Sequence, residues 1–208
     1  MKKKIDCNWH RYVDLGLPSG LLWATCNIGA KEPWESGLYF SWGNVDGHVK
    51  GSGFYLGHNT DISPYTSTPG ASLTGNIPVN AEYDAARANI GGSWRMPTIA
   101  EFKELHGSCI RKWTTQNGVN GMLFISNING NSVFFPAVGC YYGTVFYGDC
   151  TLGSYWSSSL RSQDSAYYLF FYSYDAYHLS NHQRLYGFPV RAVLDHPKDS
   201  LMIRTIKR

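Results

Sequence analysis

The chain has 208 residues, 16% of them charged and 15% aromatic, with 22 Gly, 9 Pro and a formal net charge of +3. So few charges beside so many aromatics, Gly and Pro exclude a disordered chain or a helical bundle and indicate a β-rich α+β fold with ordered loops. Lys2, Lys3, Lys4, Lys198, Arg204, Lys207 and Arg208 gather positive charge near the ends; the middle shows no basic face for nucleic acid, and no apolar run reaches the ~18 residues of a membrane span.

Residues 1–9 read as a polar leader, because Asp6, Asn8, His10 and Arg11 stand where a signal peptide needs an apolar stretch. Residues 12–20 alternate apolar and polar up to a Ser-Gly turn, and residues 21–26 return as a mostly apolar strand, which predicts a hairpin. Residues 43–78 are dominated by Gly, Ser, Thr, Asn and Pro and predict a long surface loop. A short helix is predicted over 81–90, with acidic residues in its first turn and a stop at Gly91-Gly92. A second is predicted over 98–107, where Thr98 and Glu101 have capping-box spacing, Phe102 and Leu105 share a face and Gly107 ends it. Residues 122–125 and 132–135 flank Asn129-Gly130 and suit a hairpin. Residues 165–173 and 185–193 are the last predicted strands. Residues 10–193 are expected to form one domain, and the tail over 194–208 reads equally well as a docking segment or an oligomerisation arm.

Readable catalytic signatures are missing: there is no G-x-S-x-G, P-loop, G-x-G-x-x-G or H-E-x-x-H. The expectation is a protein that is not an enzyme, with no catalytic residues, no metal and no cofactor. His178 and His182 are four apart, which suits a metal on a helix, but the intervening residues lack helical patterning and read as an exposed loop. Glu101 is accounted for by capping and Glu104 by solvent exposure. The five cysteines (Cys7, Cys26, Cys109, Cys140, Cys150) contain no C-x-x-C and read as packed thiols, with no zinc expected at Cys7, Cys26 and Cys109. A disulfide between Cys140 and Cys150 across the Gly-rich stretch remains open.

Residues 154–190 contain no Lys, Glu or Met, while Tyr and Ser dominate. Tyr offers wide contact area for little lost rotamer entropy, and Ser and Asn give adaptable hydrogen bonds, the composition that recognition surfaces favour. On a strand over 166–172, Tyr167, Leu169 and Phe171 would line one face and Tyr168, Phe170 and Tyr172 the other. One set fits a core; the second must meet another layer or stay exposed for a partner. The candidate ligand-binding residues, within a region of about 140–187, are Tyr142, Tyr147, Arg161, Tyr168, Phe170, Tyr172, Tyr174, Asp175, Tyr177, His178, Asn181, His182, Leu185 and Tyr186. Those from Tyr168 onward, Asp175 apart, are expected to share largely one exposed patch, with the segment after Tyr174 looping back so that a strand from Leu185 pairs beside them.

Several motifs resemble the Fibrobacter succinogenes major paralogous domain family of gut Bacteroidetes and their phages. They are Tyr12-Val13-Asp14-Leu15-Gly16-Leu17-Pro18-Ser19-Gly20 with Trp23-Ala24-Thr25, Gly91-Gly92-Ser93-Trp94-Arg95-Met96-Pro97-Thr98, and Trp113-Thr114-Thr115 with Gly118 and Gly121. Tyr155-Trp156-Ser157-Ser158-Ser159 and Gly187-Phe188-Pro189-Val190-Arg191 complete the pattern. The resemblance implies a C-type-lectin-like fold of the formylglycine-generating-enzyme type, with two short helices, antiparallel sheets and long ordered loops. It further implies a variable protein of a diversity-generating retroelement, in which mutagenesis of AAC-type codons cannot yield Lys, Glu, Gln, Met or Trp. The candidate positions hold none of these, whereas Trp156, Gln163 and Gln183 would be fixed framework. Trp94, Arg95, Trp156 and Arg191 would be scaffold, with Arg packed near aromatics. The calcium-ligand motif of sugar-binding lectins and the catalytic cysteine pair of formylglycine-generating enzymes have no counterpart here. The implied partner is a protein ligand such as a cell-surface receptor, met from a phage particle or bacterial surface by an adhesin-like receptor. No nucleic acid or membrane span is expected, and a homo-oligomer is compatible. A non-diversified adhesive or structural module, and an enzyme related to the formylglycine-generating group, remain alternatives.

Overall fold

The computed structural model describes residues 11–51, 75–77, 82–173 and 177–195. They form a mixed α+β structure, mostly strands, with two short helices. The expected first hairpin is present: β1 (Tyr12–Asp14) pairs antiparallel with β2 (Leu22–Ala24), Tyr12 opposite Ala24. Next in the chain come β3 (Leu38–Phe40) and β4 (His48–Val49), a short antiparallel pair whose second strand lies inside the stretch expected to be loop.

The first helix, α1 (Ala85–Ile90), starts later than expected. Asp84 lies outside it as the N-cap, its carboxylate accepting the N–H groups of Ala86 and Arg87 at 2.9 and 3.0 Å. The same carboxylate takes the N–H of Met96, just beyond β5 (Trp94–Arg95), so one acid both starts the helix and holds the next strand. The second helix, α2 (Ile99–Ser108), carries the expected capping box, with Glu101 N–H on Thr98 Oγ1 at 3.2 Å and Thr98 N–H on Glu101 Oε2 at 2.7 Å. Gly107 does not end it. The helix runs to Ser108 and stops where Cys109 turns extended to pair with Ser126. Glu104, expected to face solvent alone, accepts the backbone N–H of Ser19 at 2.8 Å.

From Cys109 a meander follows: β6 (Cys109–Gln116), β7 (Val119–Ser126) and β8 (Ser132–Pro136). Gln116 faces Val119 across a two-residue turn in which Asn117 and Gly118 have φ of 46° and 81°, the backbone that an Asn-Gly step adopts readily. A five-stranded sheet in the order β10-β9-β11-β12-β13 comes next. Its strands are β9 (Val138–Tyr142), β10 (Val145–Asp149), β11 (Leu152–Leu160), β12 (Ser165–Tyr172) and β13 (Tyr177–Gln183). All neighbours are antiparallel except β9 and β11. The segment read as a loop of exposed histidines is therefore the edge strand β13. The expected single strand over 185–193 is instead a turn, then β14 (Phe188–Pro189) paired with β3, then β15 (Val193–Leu194) between β2 and β5. Leu194, assigned to the tail, is thus a sheet residue, and Asp195 beyond it pairs with Arg95 at 2.8 Å.

Strands β11 and β12 send alternate side chains to two cores. Tyr155, Leu169 and Phe171 join Trp23, Phe102, Leu105, Phe124 and Phe135. Trp156, Ala166 and Tyr168 join Phe40, Trp42, Trp94 and Phe188. Each such ring or aliphatic chain contributes about 1.5–3 kcal/mol by leaving water. Gly153 allows this close packing, since a Cβ there would lie 2.2 Å from the Phe171 ring. Arg191 is wholly buried, stacked 4.6 Å over Phe135 and donating to Ala24 O, Thr25 O and Asn27 Oδ1. Arg184 lies over Trp42 at 4.7 Å. Arg95 differs from the expected aromatic packing: its guanidinium bridges Glu101 and Asp195. Among the described residues no helix is long and apolar enough to cross a membrane.

Candidate functional site

Residues directly opposite in antiparallel strands point to the same face. Val145 is opposite Tyr142 and Tyr147 opposite Cys140 on β10 and β9. Phe170 is opposite His178 and Ala166 opposite His182 on β12 and β13. One face of the sheet therefore collects the rings of Tyr168, Phe170 and Tyr172 with both histidines.

The turn after β13 closes the gap to β9. Tyr186 N–H bonds Gln183 O at 3.1 Å, and Gly187 and Tyr141 exchange two backbone hydrogen bonds of 2.9 Å. That bridge sets Tyr186 over the sheet, stacked on Tyr142 with centroids 4.8 Å apart and 3.8 Å from the His182 ring. The ring series continues from His182 to Tyr168 at 6.0 Å, to Phe170 at 6.1 Å and to Tyr172 at 5.4 Å. At its outer end Tyr142, Tyr147 and Val145 are 44%, 47% and 49% exposed.

Tyr168 is only 8% exposed, because Trp156, opposite it on β11, packs beside it at 6.0 Å and Phe188 from β14 packs against it at 4.9 Å. It is the floor of the patch rather than contact surface. Phe170 and Tyr172, further along the strand, are half-buried. Leu185, expected on the surface, is 4% exposed: the turn that lifts Tyr186 outward sends its neighbour inward. Asn181 is exposed but sits opposite Tyr167, on the other face from the rings. Arg161 is exposed in the turn between β11 and β12, outside the ring series. Tyr177 lies in β13 opposite Phe171, and Tyr174 and Asp175 fall outside the described residues. Val145 and Cys140 belong to the patch although composition did not single them out; the Tyr142-Gly143-Thr144-Val145 turn, with Gly143 at φ 58°, is the local signal for their hairpin.

Electrostatically this face is neutral. Burial pushes the Tyr168 phenol up to about 12 and the Cys140 thiol up to about 11. Burial, then the neighbouring Tyr142, Cys140 and Tyr147, raises Tyr186 as well. Burial lowers His182, and its Nδ1 accepts the Gln183 N–H at 2.9 Å, which holds the ring as the neutral tautomer. His178 and His182 do not converge, since four residues along a strand span about 13 Å. Cys140 and Cys150 are not joined. Cys150 lies past the end of β10, three residues beyond Tyr147, the partner of Cys140, where the backbone turns with a φ of 58°.

A cavity of about 230 Å³ opens elsewhere, between Asp84, Arg95, Thr98, Glu101, Ser158 and Asp195. Its charges are already used: Arg95 binds Glu101 and Asp195, and Asp84 is taken up by backbone N–H groups. No group of three or more metal-ligating side chains occurs among the described residues. The chain matches no family model, no curated protein and no solved structure.

Proposed function

We propose that this protein binds a protein ligand through the aromatic face of its five-stranded sheet, as a variable, adhesin-like receptor on a C-type-lectin-like scaffold. The observation that carries the reading is the unbroken series Tyr142, Tyr186, His182, Tyr168, Phe170 and Tyr172, uncharged and open to solvent at one end. Rigid rings with hydroxyl tips give large contact area at little entropic cost. Binding is favoured over a thiolate chemistry of the formylglycine-generating kind because the thiols of Cys109 and Cys140 are both pushed up to about 11 by burial and stay protonated at neutral pH. Two short helices with largely antiparallel sheets are compatible with the lectin-like scaffold.

Natural copies of the gene provide the test. Diversified binding requires substitutions concentrated at Tyr142, Tyr147, Phe170, Tyr172, His178, His182 and Tyr186, with Trp156 and Arg191 constant. Binding of the purified chain to an array of bacterial and host surface proteins should then yield a hit that Tyr142→Ala/Tyr186→Ala abolishes. Copies that vary evenly over the surface, or a hit indifferent to the double substitution, would overturn the proposal.

A further inference from the structure

Strand β13 is the outer edge of the five-stranded sheet, and its hydrogen-bonding direction follows from one contact. Arg184 N–H donates to Asp164 O at 2.9 Å, one step beyond the Ser165–Gln183 pair. Antiparallel strands exchange hydrogen bonds at every second residue. His182, Ser180 and His178 therefore bond toward β12, while Gln183, Asn181 and Leu179 turn their N–H and C=O groups away from the sheet. Two contacts agree with this phase. The outward Gln183 N–H is taken by its neighbour His182 Nδ1 at 2.9 Å. Tyr167 O, facing the opposite way from β12, accepts Ser157 Oγ–H from β11 at 2.7 Å.

Edges that stay single are commonly blunted by Lys, Pro, a bulge or a covering element. β13 reads Tyr-His-Leu-Ser-Asn-His-Gln, without a formal charge at neutral pH or a proline, and pairs with β12 without a register shift from Tyr177 to Gln183. Among the described residues, none bonds the outward groups of Leu179 or Asn181. Such a row of outward N–H and C=O groups is a template on which an extended backbone can pair.

We propose that β13 pairs antiparallel with β13 of a second copy of this chain, about a two-fold axis at Ser180, joining two sheets into one. Three features select a copy over a foreign strand. Centring on Ser180 overlaps the strand along its whole length and sets the outward groups of Leu179 against those of Asn181 of the second copy, twice over by symmetry. A strand without charge meets its copy with no like-charge pair, whereas a charged partner would find no counter-charge. The aromatic faces of the two copies also become continuous. This rests on the backbone geometry and does not need the ligand-binding reading.

Size-exclusion chromatography with light scattering on the full chain tests it. The expected result is a concentration-dependent species of twice 23.3 kDa. Asn181→Pro removes an outward N–H while leaving every bond toward β12, and should give a folded monomer. Ser180→Cys should give under mild oxidation a dimer whose cross-link peptide mapping places at position 180, because residues facing at the axis stand about 4.5 Å apart, within disulfide reach. A wild type that remains at 23.3 kDa at every concentration overturns the proposal. So does a dimer that survives folded Asn181→Pro; if that variant does not fold, failure of Ser180→Cys to cross-link overturns it.

Discussion

Replacing Tyr142 and Tyr147 together by Ala removes two of the most exposed rings of the aromatic face, each with nearly half its surface already in water. Tyr142 would lose its stacking on Tyr186, an aromatic pair at 4.8 Å of the kind that contributes about 0.5–1.5 kcal/mol. With surface substitutions otherwise within about 0.5 kcal/mol, the pair should cost roughly 1–2 kcal/mol. In a chain of this size that lowers Tm by about 2–8 °C. Trp156→Ala is the contrast. Its indole is wholly buried, 4.2 Å from Phe188, with Nε1–H donating to Phe40 O at 2.9 Å. Truncating a buried ring costs about 3–5 kcal/mol, or about 6–20 °C. Calorimetric and urea melts of the two variants beside the wild type give the comparison. If the double Tyr variant loses as much stability as Trp156→Ala, the outer rings hold the fold together and are not spare surface, and the reasoning behind the binding face fails.

Asp84→Ala should cost about 2–3 kcal/mol in chemical denaturation, since it uncaps α1 and leaves the buried Met96 N–H unpaired. Asp84→Asn should lose less, because Asn caps as well and keeps an oxygen in the place of Asp84 Oδ1, which accepts the N–H groups of Ala86, Arg87 and Met96. Acid should weaken the fold through His182: burial holds its folded-state value below the unfolded one, so its contribution is complete above the ordinary range near about 6.5 and is lost as pH falls through and below it. Melts between about pH 7.5 and about pH 5 should show the decline, and His182→Gln should flatten it, leaving the component from His106, which burial and the neighbouring Arg111 lower too. Mild oxidation should not link Cys140 to Cys150 within one chain, as peptide mapping without reductant would establish; recovery of that linkage would mean that the β9–β10 register is different.

Features determined within a few residues were legible in the sequence. The capping box at Thr98 and Glu101, the first hairpin and the Asn-Gly turns depend on hydrogen bonds and φ values that neighbours along the chain decide. Asn117-Gly118 marks the β6–β7 turn in the same way, whereas Asp84 has the composition of a first turn while serving as the cap. The Tyr- and Ser-rich composition of residues 154–190 was legible because it reflects side-chain chemistry and needs no geometry. Strand β13 was not legible: its polar residues have no strong alternation of their own, and it is extended because β12 supplies its hydrogen bonds. Burial along β12 likewise depended on what packs against it. Tyr168 and Tyr172 are equivalent in sequence and share a face, yet only Tyr168 packs against Trp156 and Phe188, brought there from β11 and β14. Alternation along residues 166–172 thus determined that a second aromatic face exists, while long-range strand pairing decided which of its rings are covered, because burial is a property of what packs across a side chain and not of the side chain itself.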